Sequence, residues 1–331
     1  NIAISCRNKQ INFRGYCIDT GLVSDGYSND LDFARIVSEK ENIPLKVINF
    51  QKNISVESIE ETLKSVRNIG ELSSAISLNM IIKNISLDSI KVIQSGLGAD
   101  EIYGGYTLMR NFKRLKILTF LLKSINLDKR NIFKIILNNN FLLNLFSTQR
   151  LKIVNSLLNN DHENVISKLI RWDFEIKSKS NLYPNIKIVN YEDLINFYFD
   201  YFLSSSHLPI SDSISMDKSI ELRVPFLSRR LFTSVYPDLF NRCDRKITLK
   251  KRLSKYYDNR FIFRKKAGFG LSPTTLDKNV VDYLIDNLYD QFIYENYEIS
   301  KDNLYVNLLE GKYARFQYVL LALLTYKKII D

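Results

Sequence analysis

The stretch Ser95-Gly96-Leu97-Gly98-Ala99-Asp100-Glu101-Ile102-Tyr103-Gly104-Gly105-Tyr106 constrains this chain more than any other segment. A β-prone run, Ile90-Lys91-Val92-Ile93-Gln94, leads into it, and a long Leu/Lys/Arg pattern at helical spacing follows. A strand that runs into a Ser/Gly turn carrying an acidic pair is how α/β enzymes present a nucleotide site. With no Cβ in the way, the backbone N–H groups of Gly96 and Gly98 can come close to a phosphate. Asp100 and Glu101 offer the hard oxygen atoms that Mg²⁺ takes. The same spacing also fits a strand, a glycine turn and a capped helix that bind nothing, and the segment alone does not choose between the two.

Upstream, the chain alternates strands and helices. Phe13 to Asp19 alternates and carries Tyr, Cys and Ile, which predicts a strand. Asn29-Asp30 opens a helix through Phe33, Ala34, Ile36 and Val37, and Pro44 breaks it. Leu45 to Phe50 is a second strand, Ser55 caps a helix through Ile59 and Leu63, and Ser73 to Lys83 is helical again. Strands separated by helices imply parallel βαβ units and a sheet covered on both faces. Beyond Tyr106 the pattern changes: Arg110 to Phe202 carries Leu, Ile and Phe at helical spacing, and Lys129 to Leu158 reads as several helices. Asn138-Asn139-Asn140 reads as a loop, and no internal repeat is present. The expected organisation is an α/β nucleotide core over residues 1–110 followed by a largely helical lobe over 111–331.

Composition narrows the classes of function. With 331 residues, 45% hydrophobic and 12% aromatic, the chain can bury a sizeable core and is not a disordered polymer. No apolar run reaches membrane-spanning length, and Tyr318 to Leu324 reads as a buried C-terminal helix. A start at Asn1, with no signal peptide ahead of the fold, points to a fragment or a processed piece. The three cysteines, Cys6, Cys17 and Cys243, are odd in number and lack CxxC spacing, which argues against a disulfide framework or zinc and fits a reducing cytoplasm. Two histidines, His162 and His207, exclude a multi-histidine metal centre, and His162 sits in a polar loop. The net charge is +11, and Arg242 to Lys266 alone holds eleven Lys/Arg against two acids. A solvated helix face and a polyphosphate site both fit that run. A nucleic-acid surface fits less well, because aromatic residues on a recognition fold are missing.

Three separated segments, in order, resemble the synthetase domain of glutamine-hydrolysing asparagine synthetases and their relatives. The family motif SGEGADELFGGY is similar to Ser95–Tyr106. The family's DRMSMAxSLEVRVPFLD is similar to Asp212-Ser213-Ile214-Ser215-Met216-Asp217-Lys218-Ser219-Ile220-Glu221-Leu222-Arg223-Val224-Pro225-Phe226-Leu227, and its RPKMGFG to Arg264-Lys265-Lys266-Ala267-Gly268-Phe269-Gly270. The resemblance covers roughly residues 10 to 275 and implies a PP-loop ATP-pyrophosphatase fold: a parallel sheet flanked by helices, with a mainly helical C-terminal part. It also implies a reaction. A small-molecule carboxylate, usually that of aspartate, attacks the α-phosphate of ATP, pyrophosphate leaves, and ammonia converts the acyl-adenylate to an amide. On this resemblance Ile18, Ser95, Gly96 and Gly98 contact the nucleotide. Asp100 holds Mg²⁺, and Glu101 stands beside it in the catalytic group. Lys266 stabilises the charged transition state, and Asp212, Glu221, Arg223, Arg264 and Lys265 frame the substrate and phosphates. The basic helix near Thr248 to Lys255 adds to the field, which accounts for the charge run without nucleic acid or membrane. A homodimer is compatible with the sequence, which carries no direct signal for it.

The chain also departs from the family. The pyrophosphate loop SGGxDS is missing, together with its second Mg²⁺ ligand, and Asn1-Ile2-Ala3-Ile4 resembles the helix that follows that loop. The glutaminase domain that would deliver ammonia from glutamine is missing too. Leu97 replaces the glutamate of SGEG, Ser228 the aspartate of RVPFLD, and Ser213 the arginine of DRMSM. Leucine accepts no proton, so this departure leaves the attacking nucleophile and the substrate open. A β-lactam-type or sugar-acid relative, and an inactive nucleotide-binding module, stay open as alternatives.

Overall fold

A computed structural model describes residues 1–19, 30–49, 55–66, 72–106, 108–113, 117, 188–239, 246–263, 278–288 and 300–309. The chain opens with helix α1 (Ile2–Asn8), as the resemblance of Asn1–Ile4 implied. Strand β1 (Gly15–Asp19), helix α2 (Leu31–Glu41) and strand β2 (Leu45–Asn49) follow. Asn42, with φ 50°, closes α2 in the left-handed conformation typical of helix ends, just before Pro44. The strands pair in parallel with Gly15 opposite Leu45 and Asp19 opposite Asn49, so the first unit is βαβ. Helix α3 (Val56–Ser65) starts where expected, with the Ser55 Oγ accepting from the Ser58 N–H at 3.3 Å. Helix α4 (Leu72–Leu87) leads to strand β3 (Val92–Gln94) and the short helix α5 (Ala99–Ile102).

In the second half, α6 (Tyr191–Phe197) is opened by a capping box between Asn190 and Asp193. It continues through a π-helical segment, Tyr198–His207, into α7 (Leu208–Asp217). Strand β4 (Glu221–Arg223) and a 3₁₀ turn at Pro225–Leu227 come next. Helices α8 (Arg229–Leu239), α9 (Ile247–Leu253), α10 (Asn259–Ile262), α11 (Lys278–Leu288) and α12 (Lys301–Leu309) complete the described elements. The helices expected within 118–187 and at Tyr318–Leu324, the Asn138–Asn140 patch, His162 and Cys243 lie outside the described residues. Among the described residues no helix is long and apolar enough to cross a membrane.

Strand pairing is parallel, as expected, but its layout differs from one continuous sheet. Among the described residues there are two parallel pairs, β1 with β2 and β3 with β4, and no ladder joins them. Apolar packing joins them instead. Tyr16 of β1 and Ile93 of β3 press on one core of Val66, Ala75, Ile82, Ile85, Ile210, Ile214 and Ile220, contributed mainly by α4 and α7. Strand β4 comes from the C-terminal stretch, so the two halves of the chain interlock through β3 and β4.

Polar clamps fix the edges of this arrangement. Asp88, past the end of α4, accepts from the Tyr16 hydroxyl at 2.7 Å and from the Lys46 ammonium at 2.9 Å, tying β1 and β2 to that helix. These donors, Tyr16 first, hold the Asp88 carboxyl below its usual range. Glu41, buried at the end of α2, accepts from the Tyr257 hydroxyl at 2.7 Å and pairs with Arg7. Arg252 of α9 reaches Ser5 of α1 at 2.9 Å, so the N-terminal helix is fastened beside the basic segment.

Candidate active site

The site is built where β3 ends. Val92, Ile93 and Gln94 pair with Glu221, Leu222 and Arg223, and the ladder is extended by the Ser95 N–H donating to the Arg223 carbonyl at 2.9 Å. Two of the motif segments singled out in the sequence are thereby laid side by side. The turn then folds on itself: the Leu97 N–H donates to Ser95 Oγ at 3.3 Å and the Ala99 N–H to the Gly96 carbonyl at 3.3 Å. Gly96 is exposed, and a Cβ placed on it would meet nothing within 4 Å, so its backbone borders open space. Gly98 is the opposite case. Its φ of +85° lies in the left-handed region, and a Cβ there would run into the Leu227 side chain. Leu227 of the 3₁₀ turn is therefore the seat on which the Ser95–Gly98 turn rests.

The two adjacent acids are turned to different environments. Asp100 keeps a quarter of its side chain exposed, and its Oδ1 pairs with the Lys246 ammonium at 2.9 Å. The Gly105 N–H donates to the Asp100 carbonyl at 2.7 Å, and a Cβ on Gly105 would collide with Asp100 Oδ1. Glycine at 105 thus leaves the space the carboxylate occupies. Glu101 is only 3% exposed and accepts from the Tyr106 hydroxyl at 2.6 Å. The Tyr106 ring is stacked on Tyr198 of the π-helical segment, with centroids 4.1 Å apart and planes 5° from parallel. Burial, and after it the charge of Glu101, pushes both phenols far above their ordinary range, so Tyr106 stays a hydrogen-bond donor. Glu101 anchors the turn to the core of Ile102, Tyr103, Met109, Leu194 and Phe197, and Asp100 stays partly exposed on its lysine.

That division makes an expected result. Tyr106→Phe keeps the stacked ring but leaves a buried carboxylate without its donor, so it should cost about 1–3 kcal/mol of stability. Urea unfolding of the variant checks it; an unchanged midpoint would mean that Glu101 is satisfied by other groups.

Lys246 is the residue that the sequence reading did not single out. It lay inside the basic run as one cation among many. Its position is tightly set: its N–H donates to the Tyr103 carbonyl at 2.8 Å, and its φ of +59° is left-handed, an uncommon conformation for a residue with a side chain. Arg223 pairs with Glu221 through two bonds of 2.8 and 3.1 Å on the exposed face of β4, where residues two apart share a face. Asp212 is exposed on α7 and Ile18 is half-buried on β1, in the other strand pair. Lys266, Arg264 and Lys265 lie outside the described residues.

The donor set suits a cation shared with a ligand better than a closed metal cage. Among the described residues no three His, Cys, Asp or Glu side chains converge. Asp100 supplies one hard carboxylate, already holding a cation in the form of the Lys246 ammonium, in a space that a Cβ on Gly105 would fill. Mg²⁺ bound through one or two carboxylates plus substrate phosphates has this character.

Compared with known protein families, the chain matches asparagine synthase over residues 3–317. The chain belongs to the asparagine synthase family. The match takes in all three motif segments, including Arg264–Gly270, and it makes this asparagine synthase relative a member of a family of ATP-dependent, amide-forming carbon–nitrogen ligases of PP-loop α/β fold. A search of curated proteins finds no match.

Proposed function

We propose that the chain activates the side-chain carboxylate of aspartate with ATP and converts it to the amide, yielding asparagine, AMP and pyrophosphate. A carboxylate oxygen attacks the α-phosphorus, the bond to the bridging oxygen breaks, and the pair leaves with pyrophosphate. Ammonia then attacks the acyl carbon, AMP departs, and the nitrogen loses a proton. Mg²⁺, when bound, would neutralise the leaving pyrophosphate. The chain's own residues do the rest in this reading. Gly96 and Gly98 present backbone N–H groups to the nucleotide, Ser95 fixes their turn, and Ile18 borders the base. Asp100 holds the metal, while Lys266, with Arg264 and Lys265, faces the charge that builds on the phosphates. Glu221 and Arg223 form the rim, with Asp212 beyond it. Ammonia would come from glutamine hydrolysed by a domain outside these 331 residues.

The observation that carries this reading is the junction of the two motifs: Ser95 bonded to Arg223, and Gly98 resting on Leu227. One feature favours a second reading within the same chemistry. Leu97 stands where the family resemblance puts a glutamate, so an amine carried by the substrate itself, closing a lactam, competes with ammonia as the nucleophile.

Exchange of labelled pyrophosphate into ATP across a panel of carboxylates, with an SGGxDS segment restored ahead of Asn1, tests the proposal. Exchange that depends on aspartate supports asparagine synthesis, and exchange that depends on an amino-bearing carboxylate supports lactam formation. ATP binding without exchange on any carboxylate sinks both and leaves a nucleotide-binding module.

A further inference from the structure

We infer that Lys246 is a resident counter-ion on Asp100 which weakens the site for bare divalent cations but not for the metal carried on polyphosphate. The inference rests on Asp100 being the metal ligand of the proposed function. Its grounds are geometric. The ammonium lies 2.9 Å from Asp100 Oδ1, on the oxygen that a divalent ion would take at about 2.1 Å. The ammonium opposes a divalent ion on either carboxylate oxygen: on Oδ1 it must be displaced, and on the other oxygen the ion lies close to its charge. The pair is set from both sides: Lys246 by its backbone bond to Tyr103 and its left-handed φ, Asp100 by the cleared space at Gly105.

Exposure decides what kind of pair this is. Lys246 and Asp100 keep 28% and 25% of their side chains exposed. A fully buried pair would resist exchange, because freeing either partner leaves an unpaired charge in the interior. This pair can open at modest cost. A bare divalent ion arriving from solvent must displace the ammonium or sit next to it, and in either case two cations lie side by side. A metal already on polyphosphate brings a net negative charge, so the displaced ammonium gains an anion in place of the carboxylate. The same lysine therefore opposes the free ion and tolerates its nucleotide complex.

Binding of Mn²⁺ alone, and of Mn²⁺ with ATP, to the 331-residue chain, followed through the EPR signal of the free ion, tests the inference. Lys246→Gln should bind bare Mn²⁺ about fivefold more tightly, the scale of a partly exposed pair, and Mn²⁺–ATP no more tightly than wild type. Lys246→Arg, which keeps the cation, should bind bare Mn²⁺ as the wild type does. Lys246→Asn serves as a second neutral variant, since asparagine tolerates the left-handed conformation at this position. Asp100→Asn should lose the Mn²⁺ site. If the neutral variants bind bare Mn²⁺ no better than wild type while Asp100→Asn loses it, the counter-ion role is wrong and the metal ligand stands. If Asp100→Asn binds Mn²⁺ as wild type does, both are wrong.

Discussion

Asp100→Asn is expected to lower carboxylate-dependent ATP–pyrophosphate exchange by about a thousandfold, with the fold intact. Asparagine matches aspartate in shape, so it still fits the space left by Gly105 and still accepts the Gly105 N–H on its main-chain carbonyl. What it removes is one negative charge. In the proposed mechanism that charge holds the cation against a leaving pyrophosphate, and single electrostatic groups of this kind are worth roughly a hundred- to a thousandfold in rate. The stability change should be small, because a pair as exposed as Asp100 and Lys246 is worth about 0–1 kcal/mol. Exchange and urea unfolding, measured on the same preparation, separate the two. Exchange at the wild-type rate would remove Asp100 from the catalytic group. Tyr106→Phe makes the opposite pattern, with stability falling first, and the contrast between the two variants tests whether the neighbouring acids have separate jobs.

Gly98→Ala should be the most damaging single methyl that can be added to the turn. An alanine at φ +85° costs about 1–2 kcal/mol for the left-handed backbone alone. The added Cβ also drives into Leu227, and overpacking of this kind costs about 1–3 kcal/mol more. A total near 3 kcal/mol should appear as a clear drop in the urea midpoint. Nucleotide binding should fall as well, because pushing Leu227 away lifts the Ser95–Gly98 turn off its seat. Leu227→Ala in the same chain relieves the clash but not the backbone strain, so the double variant should recover part of the loss. A fully additive double variant would mean that the contact between these two residues carries nothing.

The parts of this fold that could be read from sequence are those whose signals are local. Ser55 caps α3 through its own hydroxyl, Pro44 ends the α2 connection, and the β-prone runs Phe13–Asp19 and Leu45–Phe50 contain the strands Gly15–Asp19 and Leu45–Asn49. Strand β4 was not legible, since Glu221-Leu222-Arg223 is too short to show a period and becomes a strand only by pairing with β3. The split between Asp100 and Glu101 was hidden for a related reason. Neighbours on a helix point about 100° apart. Which of them is buried was settled by Tyr106 and by Tyr198 on a distant segment. Lys246 was obscured by its company, because eleven basic residues in one run give no hint that a single one meets a carboxylate. The motif resemblance pointed to the candidate site, and the geometry supplied the contacts that join two of its pieces.

The β3–β4 ladder has a consequence for how such a site comes into being. Its partners are roughly 130 residues apart in the chain, and contacts of that span are made late, after the entropy of closing the intervening loop has been met. During synthesis the Ser95–Gly98 turn leaves the ribosome long before Arg223 and Leu227 exist to receive it. Nascent chains thus carry the glycine turn without its seat, and the assembled candidate site arrives only with the distal half. Quality control over the site is therefore written into chain connectivity: a molecule interrupted anywhere before Glu221 lacks the ladder, the seat and Lys246 together.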